Sequence, residues 1–196
     1  MNDVRWDWPL FEALNFDGPQ WLDSAMMAVS GLKMWVPLYI LIIYMVWRRC
    51  SWRGVVALIV ALGVAIAMAD IVAGIFKHQG FLADLIPSFP ARLRPMYTPE
   101  GLDFVTNGYH TGNIYGTVSA HTATIVAIAM VSIKAVGRSW FTALMVLVAA
   151  LICYSRIYLA CHFPQDILLG AGVGVVSGIV GMVLFGLVNG RRRRGW

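Results

Sequence analysis

Residues 55–76 read VVALIVALGVAIAMADIVAGIF, with one charge, Asp70, in the whole run. About 20 apolar residues in helical form cross the roughly 30 Å hydrocarbon core of a bilayer, so this stretch decides the fold class. It predicts an all-α integral membrane protein. Working outward, similar runs predict further spans near 32–48, 119–136, 140–157 and 166–188. The chain as a whole agrees: of 196 residues, 59% are hydrophobic and 13% charged, with a mean hydropathy of +0.71. That balance excludes a soluble domain.

One helical bundle over residues 32–190 is the natural domain count. A long connection, 78–118, separates its second and third spans, and 191–196 form a basic tail. Residues 1–31 make an amino-terminal segment. Their Asp3, Asp7, Glu12, Asp17 and Asp23 stand where a secretory signal would carry a basic start and an apolar core. Residues 20–31 are short and interrupted by Asp23, which suits a helix lying in the interface. If they cross instead, the bundle has six transmembrane helices rather than five. Cys50, Cys153 and Cys161 show no spacing that suggests a disulfide framework.

The net charge of +5 is distributed for a membrane, not for nucleic acid. Arg48, Arg49, Arg53, Lys134, Arg138 and Arg191 to Arg194 fall on one side of the predicted bundle. The acidic residues fall on the other side or inside spans. The positive-inside rule puts the arginine-rich side and the carboxyl terminus in the cytoplasm. The expected location is a bacterial inner membrane, and the tail reads as an orientation and anionic-lipid anchor. Trp35, Trp47, Trp52 and Trp140 lie at span ends, where interfacial aromatics belong.

Two spans carry small residues at every fourth position: Ala57, Ala61, Ala65, Ala69 and Ala73, then Gly170, Gly174 and Gly178. Such stripes let helix backbones approach closely in lipid. This topology collects Lys77, Arg92, Arg94, Ser119, His121, Arg156, His162 and Asp166 at the outer face. Ser119 opens the third span, and Pro164 suits the first turn of the fifth. Two helix amino termini beside Lys77, Arg94 and Arg156 form an anion site. Taken singly, each residue has a plainer role. Lys77 can snorkel, Ser119 and Asp166 can cap helices, and Arg156 can anchor a span. Histidines near a bilayer need partners, however, and together the set holds the parts for phosphate chemistry. His78, His110, His121 and His162 show no helical ligand spacing, so no metal and no other cofactor is expected.

These residues carry a resemblance. Ser155-Arg156-x5-His162-x3-Asp166 resembles the third signature of the type 2 phosphatidic acid phosphatase superfamily. Ser119-Ala120-His121 is similar to its second, usually Pro-Ser-Gly-His. Lys77 with Arg92-Leu93-Arg94-Pro95 resembles its first, in which six residues separate the lysine from Arg-Pro. Here sixteen residues separate Lys77 from Arg94, and Val118 and Ala120 replace the usual proline and glycine. The likeness spans about residues 70 to 170.

The resemblance implies roles. His162 would be the nucleophile, Asp166 its orienting partner, and His121 the acid for the leaving oxygen. Lys77, Arg94, Ser119 and Arg156 would hold the phosphate. It implies a metal-independent membrane lipid phosphatase, with a phosphorylated lipid and the bilayer as its partners. The site opens on the extracytoplasmic side in this reading. Undecaprenyl diphosphate comes slightly ahead of lipid A phosphate as substrate, and oligomeric state is left open. Transfer of the phosphoryl group to another hydroxyl, or lipid-phosphate binding without turnover, are the alternatives. The extra residues in Gly80 to Pro87 are amphipathic and are expected to wall a groove for the lipid chain.

Overall fold

The structure, a computed structural model, describes residues 6–98, 106–111 and 113–190. The basic tail lies outside these residues. The elements are helices α1 (Trp8–Leu14), α2 (Gln20–Ser30), α3 (Val36–Ile75), α4 (Ala120–Val136), α5 (Ser139–Tyr158) and α6 (Pro164–Gly190). Among the described residues there is no strand beyond an isolated antiparallel bridge, Leu93 with Tyr115. The protein is all-helical, as its apolar runs require. Lys33–Ile75, Ser139–Tyr158 and Pro164–Gly190 are long and apolar enough to cross a membrane, and Ala120–Val136 is a shorter apolar helix.

The first two expected spans lie within α3. A straight helix of 40 residues would run about 60 Å, twice the hydrocarbon thickness. The helix instead breaks at Ser51, whose φ of 62° and ψ of −177° are non-helical. Its two limbs fold back as a hairpin. Tyr39 of the first limb and Asp70 of the second line one cavity, and Ile42 and Val46 share a core cluster with Ala57, Leu58 and Ala61. Near the hairpin tip, Arg49 Nη1 donates to the carbonyl of Ala135 at 3.1 Å. The α4–α5 turn and Arg138 therefore sit beside the arginines of α3.

The small-residue stripes are the packing surfaces. All five alanines of the α3 stripe are at most 1% exposed. On α6, a Cβ added at Gly170 would stand 2.6 Å from the Ser119 carbonyl, and one at Gly174 would stand 2.6 Å from the Ala123 carbonyl. At Gly181 it would stand 2.6 Å from Val131 and 3.0 Å from the Ala65 methyl. Helix α6 thus lies in backbone contact with both α4 and the second limb of α3. Leu168, Leu169, Val175, Val176, Ile179 and Val183 on its other faces are exposed, as lipid-facing side chains are.

The amino-terminal segment is docked on the site end of α5. Phe11 is fully buried against Ile157, Ala160 and Phe163. Asn15 Nδ2 donates to the Tyr158 carbonyl at 2.9 Å, and the Tyr158 hydroxyl donates to Asp23 at 2.7 Å. Helix α2, with 11 residues, is about 16 Å long, half the hydrocarbon thickness.

Candidate active site

Two irregular segments and two helix starts build the site. Residues 92–94 pair antiparallel with 114–116: Gly116 N–H donates to the Arg92 carbonyl at 2.8 Å, and Arg94 N–H donates to the Ile114 carbonyl at 2.9 Å. This pairing brings Arg94 and the Gly116 carbonyl to one place. Gly116 fits closely there, since a Cβ would stand 3.1 Å from Arg94 Cγ and 3.4 Å from Asp166 Oδ2 and would press on both side chains. After α5, Ala160 takes a left-handed φ of 50°. The turn then closes through Cys161 N–H and His162 N–H, which both donate to the Arg156 carbonyl at 2.9 and 3.2 Å.

Helix α6 starts at Pro164, and Asp166 in its first turn reaches back to accept from the Phe163 N–H at 2.9 Å. That is one half of a capping box. Ser119 caps α4, accepting from Thr122 N–H at 3.3 Å and from the Thr122 hydroxyl at 3.0 Å. The Ser119 N–H donates to the Asp166 carbonyl at 3.1 Å. One hydrogen bond therefore joins two helix amino termini and brings their positive dipole ends side by side.

His162, 1% exposed, sits where these pieces meet. Its Nδ1 lies 2.9 Å from the Gly116 carbonyl, which can only accept. Its Nε2 lies 3.2 Å from Arg94 Nη1, which can only donate. The proton is therefore on Nδ1, and the Nε2 lone pair faces the cation. Asp166 Oδ2 stands 3.7 Å from Nδ1. Burial and then Arg94, Arg156 and Lys77 hold the imidazole well below its ordinary pKa, so it is neutral at pH 7. A neutral ring with an aimed lone pair is a nucleophile.

The cations converge around it. Arg94, 5% exposed, is fixed by the Asn113 carbonyl at 2.6 Å and the Cys161 carbonyl at 3.1 Å. Arg156, 2% exposed, is held by the Ser30 hydroxyl and by the face of Tyr109, 5.3 Å away. Its Nε is buried with no hydrogen-bond partner among the described residues. Lys77 is 5% exposed. Burial first, and then Arg94, push its pKa down to about 8. A buried donor without an acceptor is costly, and Arg156 Nε is one that a bound phosphate oxygen would satisfy.

His121, one residue into α4, is exposed. It lines a cavity of about 270 Å³ that Asp70, Tyr39 and the apolar Trp35, Ile125, Ile128 and Ile152 complete. Lys77, Arg94 and Arg156 act electrostatically on both His121 and His162. All seven residues expected from the sequence thus lie in one region. Among the described residues, no three His, Cys, Asp or Glu side chains are grouped so that they could hold a metal ion.

The structure adds residues that pattern reading does not supply. The Gly116 carbonyl, not Asp166, takes the direct hydrogen bond from His162. Backbone acceptors leave no mark in a sequence. Ser30 and Asp7 come from the amino-terminal segment, far from the motifs.

The sequence model of the PAP2 superfamily matches residues 58–189. A lipid A 4'-phosphatase of Bacteroides thetaiotaomicron is 32% identical over 164 residues, covering 82% of this chain and 68% of that protein. A lipid A 4'-phosphatase of Porphyromonas gingivalis is 27% identical over 170 residues, covering 86% and 68%. Among solved structures, Aquifex aeolicus LpxE superposes with a TM-score of 0.68 at 24% identity, covering 93% of this chain and 98% of that one. The first transmembrane PAP2 type phosphatidylglycerolphosphate phosphatase from Bacillus subtilis gives a TM-score of 0.62 at 19% identity, covering 100% and 89%. These two likenesses concern the fold.

Proposed function

The chain belongs to the PAP2 superfamily, and from that premise we propose that it is a membrane lipid phosphatase working through a phosphohistidine on His162. The observation that carries the mechanism is the state of His162: neutral, with Nδ1 tied to Gly116 and Nε2 aimed beside Arg94. We assign Nε2 as the nucleophile that bonds to phosphorus while the ester bond to the lipid oxygen breaks. With the phosphate dianion bound against the cations, His121 carries the proton that it gives to that oxygen. Water then attacks the phosphohistidine and passes a proton to His121, and the N–P bond breaks to release phosphate. Positive charge grows on His162 in the first step, and Asp166 at 3.7 Å opposes its cost. Lys77, Arg94, Arg156 and the Ser119 helix start hold the phosphoryl oxygens. No step needs a metal.

For the substrate, the names of the two curated relatives support a lipid A phosphate ahead of undecaprenyl diphosphate, reversing the order read from the sequence. The cavity beside His121 supports a large leaving group, since the leaving oxygen must reach His121. We place the site on the extracytoplasmic face, because Arg48, Arg49 and Arg138 line a cavity at the opposite end. Gly80, Phe81 and Leu82, at the start of the 80–89 loop, line a second cavity of about 250 Å³ together with Lys77 and Asp70. Phe81 and Leu85 of this loop are exposed, which supports a loop resting on the leaflet.

The test is phosphate release by the purified chain from lipid A bisphosphate, undecaprenyl diphosphate, phosphatidylglycerophosphate and phosphatidic acid. Lipid A should be turned over fastest. His162→Ala should abolish release and His121→Ala should slow it by roughly 10²–10⁴-fold. Binding of these lipids without release from any of them would replace the phosphatase reading with a binding one.

A further inference from the structure

We propose that Asp7, in the amino-terminal segment, is a positioning residue for the His162–Asp166 pair; this rests on the phosphohistidine reading above. Its means is Arg92, a guanidinium set between two carboxylates. Asp7 takes the arginine fork with both oxygens, Arg92 Nη2 to Oδ1 at 2.9 Å and Nη1 to Oδ2 at 3.0 Å. Asp166 Oδ1 is left 3.7 Å from the same Nη1. The remaining geometry fixes this partition. Asp7 Oδ2 also accepts from the Gln165 N–H at 3.1 Å, one residue before Asp166. The Arg92 guanidinium lies 3.8 Å over the Phe163 ring, one residue after His162. Phe163 itself packs on Trp8 and Phe11 of α1, with ring centroids 5.5 and 5.0 Å apart.

None of this is surface chemistry. Asp7 is fully buried and the Arg92 side chain is 14% exposed. Burial alone would raise the Asp7 carboxyl, but Arg92 and the Gln165 amide bring it below the ordinary carboxylate range, so it is an anion. A bidentate fork is the strong form of this contact, and Asp166 is the only other carboxylate ion-paired with Arg92 among the described residues.

Without Asp7, Arg92 needs only to close from 3.7 Å to the 2.9 Å contact it now makes with Asp7. Asp166 would then be neutralised by a permanent cation. It would no longer favour the positive charge that appears on His162 when Nε2 bonds to phosphorus. Asp7 thus keeps Asp166 available to the histidine. The groups facing Asp166 in this account are Arg92, Arg94, His162 and Asp7. The amino-terminal segment, through Asp7 just before α1, thereby positions the His162–Asp166 pair rather than serving as a tether.

The distinguishing experiment is a suppressor test on the purified full chain, reading kcat and KM separately on a lipid phosphate. Asp7→Asn keeps an acceptor for the Gln165 amide but frees the arginine. It should lower kcat by roughly tenfold or more and leave KM within about twofold. Asp7→Asn combined with Arg92→Gln removes the competing cation and should recover at least about fivefold of the kcat lost by the single variant. A merely structural Asp7 predicts the opposite order, with the double variant no better than the single. That result, or a change in KM alone, overturns the proposal. If Asp7→Asn does not accumulate, the double variant, which leaves no guanidinium without its Asp7 partner, is compared with Asp166→Asn. A kcat well above that of Asp166→Asn supports the proposal, and an equal loss overturns it. Turnover by the unmodified chain is measured first: its absence counts against the phosphatase reading, whereas failed suppression in an active enzyme counts against Asp7 alone.

Discussion

Raising the pH past 8 should switch off the unliganded site without unfolding the protein. Lys77 is the cause. Burial, then the charge of Arg94, depress its pKa from 10.5 to about 8. At roughly 1.4 kcal/mol per pH unit, this is about 3 kcal/mol of disfavour for the ammonium in the empty site. Below pH 8 the ammonium is present and can bind phosphate oxygens. Above it the fraction protonated falls, from about ten-elevenths at pH 7 to one-eleventh at pH 9. Because kcat/KM reports the free enzyme, it should fall about tenfold over that interval. Stability moves the other way. Between pH 8 and 10.5 the unfolded chain binds more protons at this lysine than the folded one, so its contribution to folding stability rises with pH. The assay is kcat/KM from pH 6 to 10 alongside thermal unfolding in the same detergent. Lys77→Arg, which does not titrate in this range, should lose the alkaline limb even at reduced activity. A flat profile to pH 10, or an unchanged limb in Lys77→Arg, would refute the assignment.

Other outcomes follow from the packing and the loop. Gly170→Ala puts a methyl against the Ser119 carbonyl at 2.6 Å and should cost about 1–3 kcal/mol of stability, together with activity. Gly172→Ala, with nothing within 4 Å, should leave both unchanged in the same unfolding and turnover assays. Deleting residues 80–89 should impair lipid substrates far more than a soluble phosphate ester, and equal loss on both would remove the loop from substrate binding. Vanadate should inhibit phosphate release while chelators should not, and strong chelator sensitivity would refute metal-free catalysis.

Much of the bundle is legible because lipid imposes simple patterns. An apolar run such as 55–76 has no other stable use, and an alanine or glycine stripe marks the helix face that meets backbone. Ser119, His121, His162 and Asp166 are legible because polar groups at span ends are costly unless used. The hairpin within α3 is less so: Arg48, Arg49 and Arg53 mark the tip, but the single non-helical residue at Ser51 has no composition signal. Sixteen residues separate Lys77 from Arg94, and only the fold brings them together. Asp7 reads as one more acid in an acidic segment, since its partner lies 85 positions away. The Gly116 carbonyl is invisible in principle, because every residue has one and only the turn geometry selects it.

In this mechanism His162 carries the phosphoryl group. Rapid quenching of the purified chain with a phosphate-labelled lipid substrate, followed by peptide mapping, tests it directly. An acid-labile label should appear on His162, be absent in His162→Ala, and accumulate when His121→Ala slows its hydrolysis. Full turnover with label on His121, or with no covalent label at any quench time, would contradict it.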